Sequence, residues 1–247
     1  MSQRPYLLSD DPQAPFPPAG LALRQPDGLL AVGGDLSLPR LLNAYRGGIF
    51  PWFSEGEPLL WWSPNPRAVF RTDGVHLSRR FRRDLRDCTW TVRADTCFND
   101  VVTACAALRA GQDGTWITDA MRQAYGELHR HGIAHSIEVF DGERLVGGLY
   151  GLAIGRAFFG ESMFSAVSGA SKVALATLAQ VLHGWDFPLI DAQVANPHTR
   201  SLGAEPWSRE RFLACIRQQV DLPFAPGHWR DRFSPLKAAL LAHGPDH

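Results

Sequence analysis

The segment from residue 136 to residue 160 constrains the fold most. Residues 136–140 are rich in strand formers, Asp141-Gly142 is a hairpin turn signal, and residues 145–154 resume an apolar run. Gly155-Arg156 then turns the chain into a further strand over 157–160. Strands joined by such short connections pair antiparallel, so the middle of the chain is a sheet. A helix over 170–183 and a mostly apolar run over 188–194, suited to a buried strand, follow. Upstream, a strand at 69–70 precedes helical periodicity at 76–86, 97–108 and 118–131, the last stopped by Gly132. A helix over 209–219 closes the series, and the tail after Pro245 is expected to be loose. Helices, hairpin strands, helix, strand, helix is the order of an α+β domain around a mixed sheet.

Residues 1–66 have a different texture. Pro15-Phe16-Pro17-Pro18, Pro26-Asp27-Gly28, Gly33-Gly34-Asp35, Phe50-Pro51-Trp52-Phe53 and Trp61-Trp62-Ser63-Pro64 repeatedly interrupt regular structure. One short helix fits, over 39–46, started at Ser37 and ended by Gly47-Gly48. The expected organisation is a small, loop-rich N-terminal domain (1–66) followed by the main domain (67–247). With 247 residues, 45% of them hydrophobic, the chain has enough apolar mass for both. Its longest nearly uncharged apolar stretch, 146–155, falls far short of the roughly 20 residues that span a bilayer. No basic-then-apolar leader stands at Met1, so no membrane association and a cytoplasmic location are expected.

Several chemistries are excluded by spacing. Cys88, Cys97, Cys105 and Cys215 form no Cys-x-x-Cys pair and are too few for a disulfide scaffold. His131 and His135 stand four apart, but no Glu follows the first and Gly132 separates them, so no metal site is expected there. Gly160-Glu161-Ser162-Met163-Phe164 approaches the nucleophile elbow, yet Phe164 replaces its closing Gly. Lys172 follows Ser171 where a Walker loop requires Gly, which removes support for nucleotide triphosphate hydrolysis.

What remains is a set of polar groups on apolar segments: Glu161 after Phe158-Phe159-Gly160, then Asp191 and Gln193 two apart on a strand, hence on one face. Burying a carboxylate is costly without partners, so these residues form either a satisfied core network or a site. Net charge is zero, but residues 78–86 hold five Arg against Asp84, with Arg79, Arg82, Arg83 and Arg86 at the i, i+3, i+4, i+7 spacing of one helix face. Such a face is either merely solvated or a footprint for phosphates. Trp52, Trp61, Trp62 and Trp116 lie in turn-rich surroundings where a flat ring suits either core packing or stacking on an unpaired base.

These residues fall in ordered blocks: Pro26-Asp27-Gly28-Leu29-Leu30-Ala31-Val32-Gly33-Gly34-Asp35-Leu36, Tyr45-Arg46-Gly47-Gly48-Ile49-Phe50-Pro51-Trp52, Trp61-Trp62-Ser63-Pro64, Gly114-Thr115-Trp116-Ile117, Gly160-Glu161-Ser162-Met163-Phe164-Ser165 and Asp191-Ala192-Gln193-Val194. In their order and density the chain resembles the bacterial leucyl/phenylalanyl-tRNA-protein transferases, from about Phe16 to Phe233. The resemblance implies a GNAT-like acyltransferase domain after the small N-terminal one, with the aminoacylated 3′ adenosine at their boundary. Trp52 and Trp116 then match contacts to the aminoacyl-adenosine, and Glu161, Asp191 and Gln193 match the catalytic centre. The Arg79, Arg82, Arg83 and Arg86 face matches the surface for the tRNA acceptor stem. Implied partners are aminoacyl-tRNA carrying Leu or Phe, also Met, and proteins beginning with Arg or Lys, which the added residue marks for degradation by the N-end rule. Two positions depart from the family pattern: Gly169 stands where Asn is expected, leaving the helix start at Ala170 less well fixed, and Ala192 stands where Cys is frequent.

The implied donor is an ester already activated for aminolysis, so no cofactor, ATP or metal is needed. Two other readings share these residues. A CoA-dependent N-acetyltransferase on the same fold requires a phosphate cradle before the helix at 170, whose pattern Ser168-Gly169-Ala170-Ser171 lacks, so no CoA is expected. A noncatalytic tRNA-binding module would keep the Arg and Trp residues and tolerate loss of Asp191 and Gln193.

Overall fold

The computed structural model describes residues 4–110, 116–224 and 227–243; Gly114, Thr115 and the tail after Pro245 lie outside the described residues. Strands β1 (Tyr6–Leu7), β2 (Leu29–Val32), β3 (Phe50–Pro51) and β4 (Leu60–Trp62) form a four-stranded sheet in the order β1-β2-β4-β3. Helix α1 (Leu38–Arg46) connects β2 to β3. This sheet is more order than the density of Pro and Gly suggests, because its strands are only two to four residues long and carry no readable alternation. Ser37 does occupy the N-cap of α1, but its side chain makes no capping bond; Asp35 Oδ1 instead accepts from the Ser37 N–H at 2.8 Å.

The second sheet holds β5 (Arg67–Arg71), β6 (Thr91–Ala94), β7 (Ala134–Asp141), β8 (Arg144–Ile154), β9 (Ala157–Ser165), β10 (Leu189–Gln193), β11 (Glu205–Trp207) and β12 (Leu236–Lys237). Their order is β11-β5-β10-β9-β8-β7-β6-β12. Helices α2 (Arg79–Leu85), α3 (Phe98–Ala110), α4 (Asp119–Arg130), α5 (Ala170–Gly184), α6 (Pro197–Ser201) and α7 (Arg209–Gln219) complete the α+β fold. The β7-β8-β9 meander is antiparallel as expected, whereas β9 and β10 pair in parallel across the α5 crossover, which makes the sheet mixed. Edge strand β11 contains Pro206, tolerated there because no ladder donor is required of it.

Apolar side chains of β8 and β9 divide between two cores. Tyr150, Leu152 and Phe159 join a core with residues of α3 and α4 and with Leu41, Tyr45 and Trp61 from the N-terminal segment. Val146, Leu149 and Phe158 pack instead with Val173, Ala174 and Leu178 of α5. The N-terminal segment is therefore fastened to the larger sheet through the first of these cores. Among the described residues, no helix is long and apolar enough to cross a membrane.

Candidate active site

The site forms where two neighbouring strands each carry an extra residue. In β9 the register against β8 shifts between Ser162 and Gly160, leaving Glu161 as the unpaired residue of a bulge. In β10 the register against β5 shifts between Asp191 and Gln193, with Ala192 as the extra residue and Gln193 at φ +59°. The alternation expected to place Asp191 and Gln193 on one face is broken by this bulge. Pairing of β9 with β10 is recorded at Ile190–Phe158 and Asp191–Phe159, and Gly160, Glu161, Asp191, Ala192 and Gln193 border a cavity of about 410 Å³ beside it.

Glu161 is buried and accepts three hydrogen bonds: Tyr45 Oη at 2.7 Å and Gln193 Nε2 at 2.8 Å on Oε1, and Tyr125 Oη at 2.9 Å on Oε2. The two tyrosine oxygens also lie in short contact with each other. Burial raises the Glu161 pKa to about 7 against the opposing pull of these donors, with the Asp191 carboxylate adding to the rise. Because its Nε2 is committed to Glu161, Gln193 keeps its amide oxygen clear as an acceptor; no protein donor to it is recorded among the described residues.

Asp191 is placed differently. Both carboxylate oxygens are taken by Arg67, Nε to Oδ1 at 2.8 Å and Nη2 to Oδ2 at 2.7 Å, in a bidentate pair whose side chains are 0% exposed. The guanidinium lies 4.7 Å from the Phe50 ring centroid and 4.6 Å from that of Phe212, and its Nη1 donates to the Gly48 carbonyl. Asp191 Oδ1 in turn accepts the Gln193 backbone N–H at 2.9 Å, which pins the bulge. Asp191 thus holds Gln193 through the backbone, and both of its carboxylate oxygens are engaged. Arg67, Tyr45 and Tyr125 were not anticipated from the sequence. A cation entering the apolar run Ala68-Val69-Phe70 was the available signal for Arg67, and a tyrosine on the Met121, Tyr125, Leu128 stripe of α4 was that for Tyr125.

The cavity wall away from these groups is apolar, with Phe70, Leu149, Phe158, Leu175, Leu178 and Ile190, while Trp52 and Trp116 stand among its aromatic lining. Residues 69–217 match the family described as leucyl/phenylalanyl-tRNA protein transferase, and residues 34–65 match its N-terminal domain. The protein named leucyl/phenylalanyl-tRNA–protein transferase from Xanthomonas campestris pv. campestris (strain 8004) is 66% identical over 96% of each chain. The chain belongs to the leucyl/phenylalanyl-tRNA protein transferase family. Similarly named proteins from Xanthomonas euvesicatoria pv. vesicatoria (67% identical over 97% of this chain and 96% of that one) and Xylella fastidiosa (65% over 90% and 93%) extend the match. The structure of L-PGS from Bacillus licheniformis aligns at a TM-score of 0.39 and 12% identity, over 69% of this chain and 56% of that chain.

Placed on this family member, the remaining expected residues separate. Trp52 is 43% exposed and half-buried Trp62 donates Nε1–H to the Trp52 carbonyl, so both keep accessible ring surface. Trp61, its side chain on the opposite side of β4, is fully buried with Nε1–H on the Gly33 carbonyl and is a core residue. On α2, Arg79, Arg83 and Arg86 are exposed, but Arg82 is half-buried and donates to the carbonyls of Leu77 and Leu241. Arg82 therefore ties α2 to the C-terminal segment rather than joining the free face. Gly169 adopts φ +90°, and a Cβ there would lie 2.6 Å from Cε2 of Phe81 on α2, so the departure from Asn accommodates a close approach. The start of α5 is fixed by Ser165 Oγ, which accepts the Ser171 N–H at 2.8 Å, and by the Ala170 N–H on the Val167 carbonyl. With those amides used internally, the loop offers a poor cradle for the phosphates of CoA.

Proposed function

We propose that this chain transfers leucine or phenylalanine, and also methionine, from aminoacyl-tRNA to the N-terminal α-amine of proteins beginning with Arg or Lys, marking them for degradation by the N-end rule. The observation that carries the reading is the free amide oxygen of Gln193, held at the edge of an apolar cavity by Glu161 and Asp191. That oxygen accepts a hydrogen bond from the attacking amine and sets its line of approach. The amine nitrogen attacks the ester carbonyl carbon, the bond to the ribose oxygen breaks, and the proton lost by nitrogen ends on that oxygen. Because the α-amine titrates at about 7.7–8.0, a useful neutral fraction exists near neutrality and no strong base is required. Positioning, worth up to roughly 7–11 kcal/mol in favourable cases, outweighs the roughly 10²- to 10⁴-fold of general-base assistance.

The apolar wall receives the leucine or phenylalanine side chain, Trp52 and Trp116 flank the terminal adenosine, and Arg79, Arg83 and Arg86 face the acceptor-stem phosphates. Glu161 helps orient the amine or the donor ribose, and its carboxylate, unlike that of Asp191, which Arg67 neutralises, favours a cationic first residue in the acceptor. A division into an N-terminal domain (1–66) and a GNAT-like domain (67–247) is supported by the two sheets, one ending before residue 63 and the other starting at Arg67. This reading places the protein in the cytoplasm with its charged tRNA, and needs no cofactor. The test is incubation with Leu-tRNA and peptides beginning Arg, Lys or Ala. Transfer to the first two alone is expected; no transfer to any of them rejects the reading. Asp191→Asn and Gln193→Ala should each slow single-turnover transfer by roughly 10²-fold, the cost of misplacing a reacting group.

A further inference from the structure

A second cluster of ionisable side chains lies outside the cavity, where β6, β7 and the end of α4 meet the segment 227–229. The histidines singled out by sequence do not meet: His131 is exposed and bonds Glu127, while His135 is buried and bonds Asp95 at 2.8 Å. In their place the fold gathers Asp95, His129 and His228, one ligand atom of each lying within 4.8 Å of the others. We propose that this cluster is a zinc-class divalent metal site, with Asp95 Oδ1, His129 and His228 as ligands and a water completing the coordination.

Asp95 is held in a left-handed conformation, φ +55°, with its side chain buried. Its Oδ2 is filled by His135 Nδ1 and by the Trp229 N–H at 2.7 Å, and among the described residues Oδ1 takes only the Ser136 N–H. The remaining lone pair of Oδ1 stands 3.9 Å from His129 Nδ1. Every ion-pair partner recorded for this buried carboxylate is an imidazole. His228 supplies the decisive observation, since its Nδ1 is buried and has no hydrogen-bond partner among the described residues. A buried polar atom left unpaired costs free energy that a ligand would recover.

The supports of the cluster are those a metal site requires. His135 stacks on Trp229 at 4.1 Å and fixes the second oxygen of Asp95. Phe98 stacks on His129 at 4.2 Å, and the His129 and His228 rings stand 4.7 Å apart. The segment bearing His228 is pressed onto the turn after α4: a Cβ on Gly132 would lie 2.9 Å from the Gly227 nitrogen. Two imidazoles and one carboxylate select zinc over magnesium or calcium. Ligand atoms about 2.0–2.1 Å from a tetrahedral zinc stand roughly 3.4 Å apart, so closure draws the three groups in by about 1 Å. His129 Nδ1 donates its proton at 2.8 Å to the Ala134 carbonyl, the kind of bond that orients a metal-bound imidazole, and the other ring nitrogen carries the lone pair for the metal.

The test uses full-length, tag-free protein stripped with EDTA, loaded with zinc chloride and analysed by plasma emission. One zinc per chain is expected, with affinity weakened at least about tenfold by His228→Gln and by His129→Gln and unchanged by His131→Ala. Zinc should also raise the thermal midpoint of the wild type and not of the first two variants. The cobalt-loaded wild type should show d–d bands of a nitrogen and oxygen site without thiolate charge transfer, a readout independent of whether the variants fold. Wild-type protein that retains no zinc, thiolate bands in the cobalt form, or folded variants that bind as tightly as wild type would each overturn the assignment.

Discussion

Arg67→Met isolates the contact on which the centre is built. It removes both guanidinium bonds to Asp191 and the donor to the Gly48 carbonyl while keeping an apolar side chain between Phe50 and Phe212. Asp191 is fully buried, and the Gln193 N–H is the one other donor recorded on it among the described residues. Breaking a buried pair from one side costs about 3–5 kcal/mol, because the surviving charge stays uncompensated. Against a total stability of about 5–15 kcal/mol this is a large share. For a chain of 247 residues it corresponds to a fall in thermal midpoint of roughly 6–20 °C. Urea unfolding measures it directly, with the slope unchanged if only stability has moved. Adding Asp191→Leu removes the stranded carboxylate and should recover part of the loss. A deficit of about 1–3 kcal/mol should remain, because the Gln193 N–H then lacks its acceptor. Transfer activity should not return in the double variant, since the Gln193 bulge is no longer pinned. A single variant within about 1 kcal/mol of wild type, or a double variant with restored transfer, would refute the assignment of Arg67 and Asp191 as the positioning pair.

Three further outcomes follow from the same geometry. Glu161 titrates at about 7, above its unfolded value of about 4.3, so its contribution to folding is complete below the lower value and is lost as pH rises through the higher one. Glu161→Gln should flatten unfolding free energy over that window. It should also remove the limb near 7 from the pH profile of transfer, which rises as the carboxylate forms to accept its three donors, and leave the amine limb near about 7.7–8.0. Arg83→Ala should lower the salt slope of tRNA affinity by about 1, whereas Arg82→Ala should leave the slope and cost about 1–3 kcal/mol in urea unfolding, because its bonds are to carbonyls. Gly169→Asn should destabilise by about 1–3 kcal/mol through the clash with Phe81, and Phe81→Leu in the same chain should relieve it, as read by thermal unfolding.

The outcome of each expectation depended on whether the relevant contact was local. Helix α7 falls at 209–219, and the β7-β8 hairpin forms one residue beyond the Asp141-Gly142 signal, with Asp141 paired to Arg144 and the turn at Gly142-Glu143, because periodicity and turn chemistry are written within a few residues. Strand β9 extends to Ser165 rather than ending at Gly160, since a bulge at Glu161 interrupts the pattern without ending the pairing. The two bulges also explain why polarity located Glu161, Asp191 and Gln193 but gave their relation wrongly. Counting by two along a strand assumes an unbroken ladder, and the extra residue at Ala192 changes the aim of every side chain after it. Arg67 escaped for another reason. Its partner is 124 residues away, and nothing in its neighbours distinguishes a buried arginine from a strand-end charge. The same limit governs the histidine cluster: Asp95, His129 and His228 carry no motif spacing and acquire meaning only when β6, α4 and the segment at 227–229 converge. Residue type and local pattern therefore name the groups that cost most to bury, and tertiary pairing decides which of those groups are held in place and which remain free to react.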